Sequence, residues 1–308
     1  MSEFGLIERY FSQLDQAEDV CVGVGDDGAV LDCAGQRLVV VTDTMVEGVH
    51  FPLETAPAEV AWKAVAVNLS DLAAMGATPR WISLALTLPS EDEVWLAEFS
   101  RGLREICQRY SVALVGGDTT RGALTITVTA QGLLDSQPLL RSSAQVDDDI
   151  YVTGTLGDAG LGLDCVFERV ELESEQSKSM VARLNRPTPR CEVGVALKGL
   201  AHACIDVSDG LLADLGHILK ASNCGADLKS ESIPLSNVLK RQVQGLNYAL
   251  TSGDDYELCF TAAKNKQNDI KALAKALKTP ITRIGVIKEA LGITLDGDKM
   301  ASKGYQHF

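Results

Sequence analysis

Between Val65 and Gly76 the chain reads VAVNLSDLAAMG, an apolar, alanine-rich run carrying a single acid, Asp71. Alanine and leucine favour helix. Pro57 ahead of the run and Gly76 behind it suit a first-turn proline and a C-terminal stop. The spacing therefore predicts a helix from Pro57 to about Met75. An acid inside such a helix has no capping task, and burying it is costly unless it is paired, hydrogen-bonded or bound to a metal. Any fold that contains this helix must bring something to Asp71.

Five other segments set acids beside glycines or at the ends of apolar runs. They are Gly23–Gly28 (GVGDDG), Thr42-Asp43-Thr44, Gly116–Gly122 (GGDTTRG), Asp206–Gly210 (DVSDG) and Gly253–Glu257 (GDDYE). Each has a plain reading, because Asp, Ser and Gly also build turns and helix caps. Asp26-Asp27 fits an ordinary turn, and Ser208 and Asp209 stand where the N-cap of the next helix belongs. Taken with Asp71, however, these acids read as a cluster of hard oxygen ligands. Such a cluster suits Mg²⁺, which commonly works together with substrate phosphates. Glycine-rich loops and helix N-termini add backbone N–H groups for phosphate, and Arg121 and Arg141 are further candidates for phosphate contact.

Several chemistries are excluded by pattern. There is no GxxxxGK[ST] P-loop, and Gly154–Gly162 (GTLGDAGLG) lacks the GxGxxG spacing of a dinucleotide site. His50, His202, His217 and His307 show no metal-ligand spacing to one another. Of these, His50 is the candidate, in a glycine-containing turn just after Asp43. Neither a nucleophile elbow nor a Cys–His pair is present, so covalent catalysis has no support.

Apolar runs at Leu38–Thr42, Trp81–Leu88, Val112–Val115 and Leu124–Thr129 read as strands, and 94–110 as an amphipathic helix. A polar stretch, Asp135–Asp149, divides an N-terminal domain, 1–137, from a C-terminal one, 138–308. Beyond it, strands are expected at Ile150–Thr153, Ala203–Val207, Leu258–Thr261 and Thr282–Ile287, with helices at Leu211–Ala221 and near 268–277. This order predicts an α/β or α+β protein in two halves. A net charge of −14 excludes a general nucleic-acid binder and a polybasic membrane-surface protein. No apolar run approaches the roughly 20 residues of a membrane span, and the opening MSEFGLIERYFSQL lacks the long apolar core of a signal peptide. Eight cysteines without a CxxC, in apolar company at Cys204 and Cys259, read as buried, reduced thiols of a cytoplasmic protein.

The segments GVGDDGAV, VTDTMVEGVHF, AVNLSDLAAMGA, LVGGDTTRG, YVTGTLGD, RPTPR, DVSDGLLADLGHI, SGDDYELCF and KGYQHF together resemble the thiamine-monophosphate kinases of the aminoimidazole ribonucleotide synthetase-like superfamily. They run in order from Gly23 to the last residue. The resemblance implies transfer of the γ-phosphoryl group of ATP to thiamine monophosphate, the last step in making thiamine diphosphate. It implies several Mg²⁺ ions and no covalent enzyme intermediate. The implied α/β fold has an N-terminal sheet that forms a barrel with its twin in a homodimer, beside a larger C-terminal domain. Carried over by position, Asp27, Thr42, Asp43, Asp71, Asp118, Asp206 and Asp209 match metal ligands. Gly117, Asp118, Arg141 and Ser208 match ATP contacts, and His50, Glu257 and Tyr305 match substrate contacts. Val41 stands where the family usually has Ser or Thr, and Gly253-Asp254-Asp255 where Gly-Glu-Asp is common. The rival readings are a sister ATP-dependent synthetase of the superfamily and a non-catalytic nucleotide or thiamine-phosphate sensor.

Overall fold

Two sheets, one in each half of the chain, enclose a single long helix in a computed structural model that describes residues 18–302 together with Ile7, Gly304 and Tyr305. The expectation for the N-terminal stretch, and His307, lie outside the described residues.

The first sheet holds β1 (Val20–Val22), β2 (Ala29–Cys33), β3 (Gln36–Val46), β4 (Thr78–Leu88), β5 (Ala113–Arg121) and β6 (Thr125–Leu134), ordered β1-β2-β3-β6-β4-β5. Its neighbours run antiparallel except β4 and β5. Helix α1 (Pro57–Ala74) links β3 to β4, and α2 (Glu93–Tyr110) links β4 to β5. Asp92 caps α2 by accepting from the N–H groups of Val94 and Trp95. Along β6 the side chains alternate: Ile126, Val128 and Ala130 enter the core, while Thr127 and Thr129 face outward against Thr44 and Thr42, with hydroxyl pairs at 2.9 Å.

The second sheet holds β7 (Asp149–Thr153), β8 (Ala203–Asp206), β9 (Gly225–Leu228), β10 (Leu258–Ala262), β11 (Ile281–Lys288), β12 (Gly292–Leu295) and β13 (Asp298–Met300), ordered β13-β12-β9-β11-β7-β10-β8. Only β9 and β12 run parallel. The helices of this half are α3 (Asp158–Val166), α4 (Ser174–Asn185), α5 (Cys191–Leu197), α6 (Leu211–Ser222), α7 (Gly245–Thr251) and α8 (Gln267–Ala276). Every residue of β7, β8 and β10 is buried, because both faces of the sheet are covered. Tyr151, Cys204, Leu258 and Phe260 point into the core that contains α1. Ile150, Val152, Ile205 and Cys259 point into a second core with α6.

Fifteen of the 18 residues of α1 are buried. A helix apolar on all sides belongs in a core, and α1 lies between the first sheet on one side and α5, β8 and β10 on the other. Two glycines permit this fit. A Cβ on Gly102 of α2 would lie 2.1 Å from the Ala58 carbonyl oxygen, and one on Gly194 of α5 would lie 2.0 Å from that of Ala73.

The main sequence-predicted helices and strands are present, with one instructive difference. The expected loop Gly116-Gly117-Asp118 is strand: β5 continues through it to Arg121, paired with β4. A Cβ on Gly117 would lie 1.8 Å from the Leu84 carbonyl oxygen, so the glycine serves close strand approach. Helix α6 is ended by Asn223 in a left-handed conformation (φ 52°). The short elements β1, β2, β9, β12, β13, α5 and α7, and the 12-residue α4, are not among those predicted from the sequence. All eight cysteines are free, and four are buried, but Cys21 and Cys33 are exposed on the β1–β2 edge of the first sheet. No helix among the described residues is long and apolar enough to cross a membrane.

Candidate active site

A cleft of about 1090 Å³ opens between the two halves. At one end, three carboxylates from three elements meet. Asp27 comes from the turn before β2, Asp71 from α1 and Asp206 from the end of β8. One oxygen from each lies within 4.8 Å of the others. The helix that demanded a partner for Asp71 thus receives two acids rather than a base.

The trio is held rather than merely assembled. Arg141 donates from Nη2 to Asp27 Oδ1 at 2.5 Å, and its backbone N–H donates to Asp26 Oδ2 at 3.1 Å. Ser70 Oγ donates to Asp206 Oδ2 at 2.6 Å. Asn68 accepts the backbone N–H of Asp43. Burial pushes Asp27 up from the ordinary carboxylate range, against the pull of Arg141. Burial, then the neighbouring Asp43 and Asp206, pushes Asp71 well up. Burial followed by the charge of Asp27 does the same to Asp206. Asp26 is raised to about 6, by burial and then by Asp27. Asp27 Oδ2 is buried with no hydrogen-bond partner. Crowded carboxylates starved of positive charge, one with an orphaned oxygen, fit a divalent cation.

The remaining sequence-predicted residues divide. Thr42, Asp43, His50, Arg141, Ser208, Asp209 and Tyr305 all line the cleft. His50 Nδ1 accepts the Val46 N–H at 2.9 Å, so its neutral ring carries the proton on Nε2. The Tyr305 N–H donates to the Asp209 carbonyl at 3.0 Å. Val41 is buried in the core. Gly117, Asp118 and Arg121 are not brought to the cleft; they are exposed on β5, the edge strand. Glu257 is also absent from the lining: it is 1% exposed, and both oxygens are taken by Arg190, with Arg183 and Thr153 adding one bond each. Neither Ser208 nor Asp209 is the N-cap: Gly210 holds that position with no side-chain cap, and Asp214 inside the helix accepts the N–H groups of Asp209 and Gly210.

Sequence reasoning passed over Lys63 and named Asp254 and Tyr256 only within the Gly253–Glu257 segment, with no site role; all three line the cleft. For Lys63 a signal existed. Lys63, Val67 and Asp71 are four residues apart in turn and share one helical face.

The fold and this acid-lined cleft define a class, and comparison with known proteins agrees. Residues 25–134 match the model for the AIR synthase related protein, N-terminal domain, and residues 145–298 the C-terminal one. The thiamine-monophosphate kinase of Haemophilus influenzae is 44% identical over 322 residues, covering 100% of this chain and 98% of its own. The solved thiamine-monophosphate kinase of Stenotrophomonas maltophilia superposes with a TM-score of 0.83 at 44% identity, covering 97% of this chain and 98% of that one. The structure of AaThiL complexed with AMPPCP and TMP superposes with a TM-score of 0.89 at 33% identity, covering 100% and 97%. The chain belongs to the thiamine-monophosphate kinase family.

Proposed function

We infer that this chain transfers the γ-phosphoryl group of ATP to thiamine monophosphate, yielding thiamine diphosphate and ADP. One conjunction carries the reading: full-length similarity to thiamine-monophosphate kinases, and a single cleft ending in three crowded aspartates. Asp27, Asp71 and Asp206, with Thr42, Asp43 and Asp209 beside them, would hold Mg²⁺; bound there, it supplies charge neutralisation and alignment for an in-line transfer.

The chain's own residues prepare that site. Arg141 fixes one oxygen of Asp27 and leaves the other for a ligand. Ser70 orients Asp206, and Asn68 anchors the backbone at Asp43. Ser208 and Arg141 stand at the nucleotide side in this reading. His50, and Tyr305 with its ring at the open edge, receive the thiamine moiety, a flat heterocycle suited to stacking. Glu257 serves the acceptor only through the arginines it holds. No side chain has to remove a proton, because a phosphate monoester with a second pKa near about 6 is largely ionised at neutral pH.

The reading includes a homodimer in the cytoplasm. All nine residues of β5 are exposed, Leu114 at 49% and Val115 at 60%. An open edge of that kind is a template for pairing, and a twin seated there would draw Gly117 and Asp118 into the assembly. The domains are taken as 1–137 and 138–308, divided between β6 and β7. The testing experiment is a steady-state assay of purified protein with ATP, Mg²⁺ and thiamine monophosphate, following thiamine diphosphate by chromatography. Product should form only with both Mg²⁺ and the monophosphate, and not with thiamine. ATP binding without product would favour the sister synthetase or the sensor.

A further inference from the structure

Among the described residues, Lys63 is the only lysine lining the cleft. It lies on the Asp71 face of α1, eight residues earlier, or about 12 Å along the axis at a rise of about 1.5 Å per residue. It therefore stands away from the aspartate trio. Its side chain is only 3% exposed. Its ammonium donates to the His50 carbonyl at 3.2 Å and pairs with Asp254 Oδ1 at 2.9 Å. The same Asp254 oxygen accepts from the Tyr256 hydroxyl at 3.1 Å. His50 belongs to the first half of the chain and Asp254 to the second, so this buried ammonium ties one wall of the cleft to the other.

The second wall is not relaxed. Asp254 and Tyr256 have φ values of 68° and 50°, the left-handed region. A bulky tyrosine pays for such a conformation, and it persists where surrounding contacts over-determine it. The Asp254 carboxylate is one such contact, half-buried against Lys63. A buried charge of this kind holds its place only when its partner is present.

We propose that Lys63 is a positioning residue: its ammonium clasps the His50 turn to the 254–256 segment and sets the width of the acceptor pocket. Two of its three N–H donors are engaged with the walls, and its distance from the trio separates it from the transferring phosphoryl group. The proposal rests on the assignment of the His50 end of the cleft to the thiamine moiety.

Steady-state kinetics of the full-length protein test it, with thiamine monophosphate and ATP varied separately. Lys63→Met should raise KM for thiamine monophosphate by about 10- to 100-fold, with KM for ATP unchanged and kcat little affected. Lys63→Arg, which keeps the charge and donors, should recover most of that loss. Asp254→Asn should reproduce the same split, and it serves alone if Lys63→Met fails to fold. Equal rises in both KM values, or a loss confined to kcat, would overturn the clasp. If the wild type makes no thiamine diphosphate, the functional reading fails instead. Equilibrium dialysis of thiamine monophosphate against wild type and Asp254→Asn then decides the clasp, and equal affinities would reject it.

Discussion

Strands β8 and β5 are both sheet edges, and each delivers an acid next to an apolar run, yet their surroundings are opposite. All four residues of β8 are buried up to Asp206. All nine of β5, Asp118 among them, are exposed. The difference lies in what covers each edge. Leu140 bridges to Ala203, and the Cys204 N–H donates to the Leu140 carbonyl at 3.2 Å, so the linker closes β8. Among the described residues, nothing does this for β5. A carboxylate on a covered edge is desolvated; one on an open edge keeps its water.

This contrast can be broken by substitution. The largest effect is expected from Asp206→Asn, which should lower kcat by about 10²- to 10³-fold with Mg²⁺ saturating. Retention of full rate would remove the trio from the chemistry. Next, Ile205→Ala in β8 should cost about 2–5 kcal/mol in denaturant unfolding. Leu114→Ala in β5 should cost less than about 0.5 kcal/mol at concentrations where only monomer is present. For the homodimer proposed through this edge, Val115→Lys should leave only monomer in sedimentation equilibrium; a dimer that survives it does not use this edge.

Acidity sharpens the same comparison. Asp26, raised to about 6, and Asp27, Asp71 and Asp206, all raised, bind protons more tightly folded than unfolded. The folded state therefore holds the extra protons, and stability of the metal-free protein should fall as pH rises from about 4 through the raised values. Calorimetry with and without Mg²⁺ checks this: the metal should raise Tm by several degrees at pH 8 and by much less at pH 5. An equal shift at both would sink the idea that the trio is short of positive charge. A modest effect is expected of Thr42→Val, which loses one hydroxyl pair with Thr129 and should cost about 1 kcal/mol in unfolding.

Local chemistry made α1 and the acid cluster legible. Proline, alanine and glycine mark the helix, and the cost of burying Asp71 forces a partner upon it. Edge cover was not legible, since Leu140 and Ala203 meet across 63 residues with no signature in either segment. Glu257 matches a substrate position through the family resemblance alone, while Arg183 and Arg190, which occupy it, lie far upstream. Ser208 and Asp209 miss the cap because the helix starts one residue later, after Gly210, and the Asp214 carboxylate one turn inside ties the Asp209 and Gly210 N–H groups back to it. Lys63 escaped because lysines in helices are ordinarily solvated; only its shared face with Val67 and Asp71 sets it apart.

The placement of α1 between both sheets has a consequence for synthesis. When the first 134 residues have left the ribosome, the first sheet can be complete, but the face of α1 meant for Leu258 and Phe260 has no cover. The nascent chain must carry that apolar surface for more than a hundred further residues, at roughly 5–20 residues per second. A polypeptide truncated before β10 will thus emerge as a client for chaperones rather than as a stable half-enzyme.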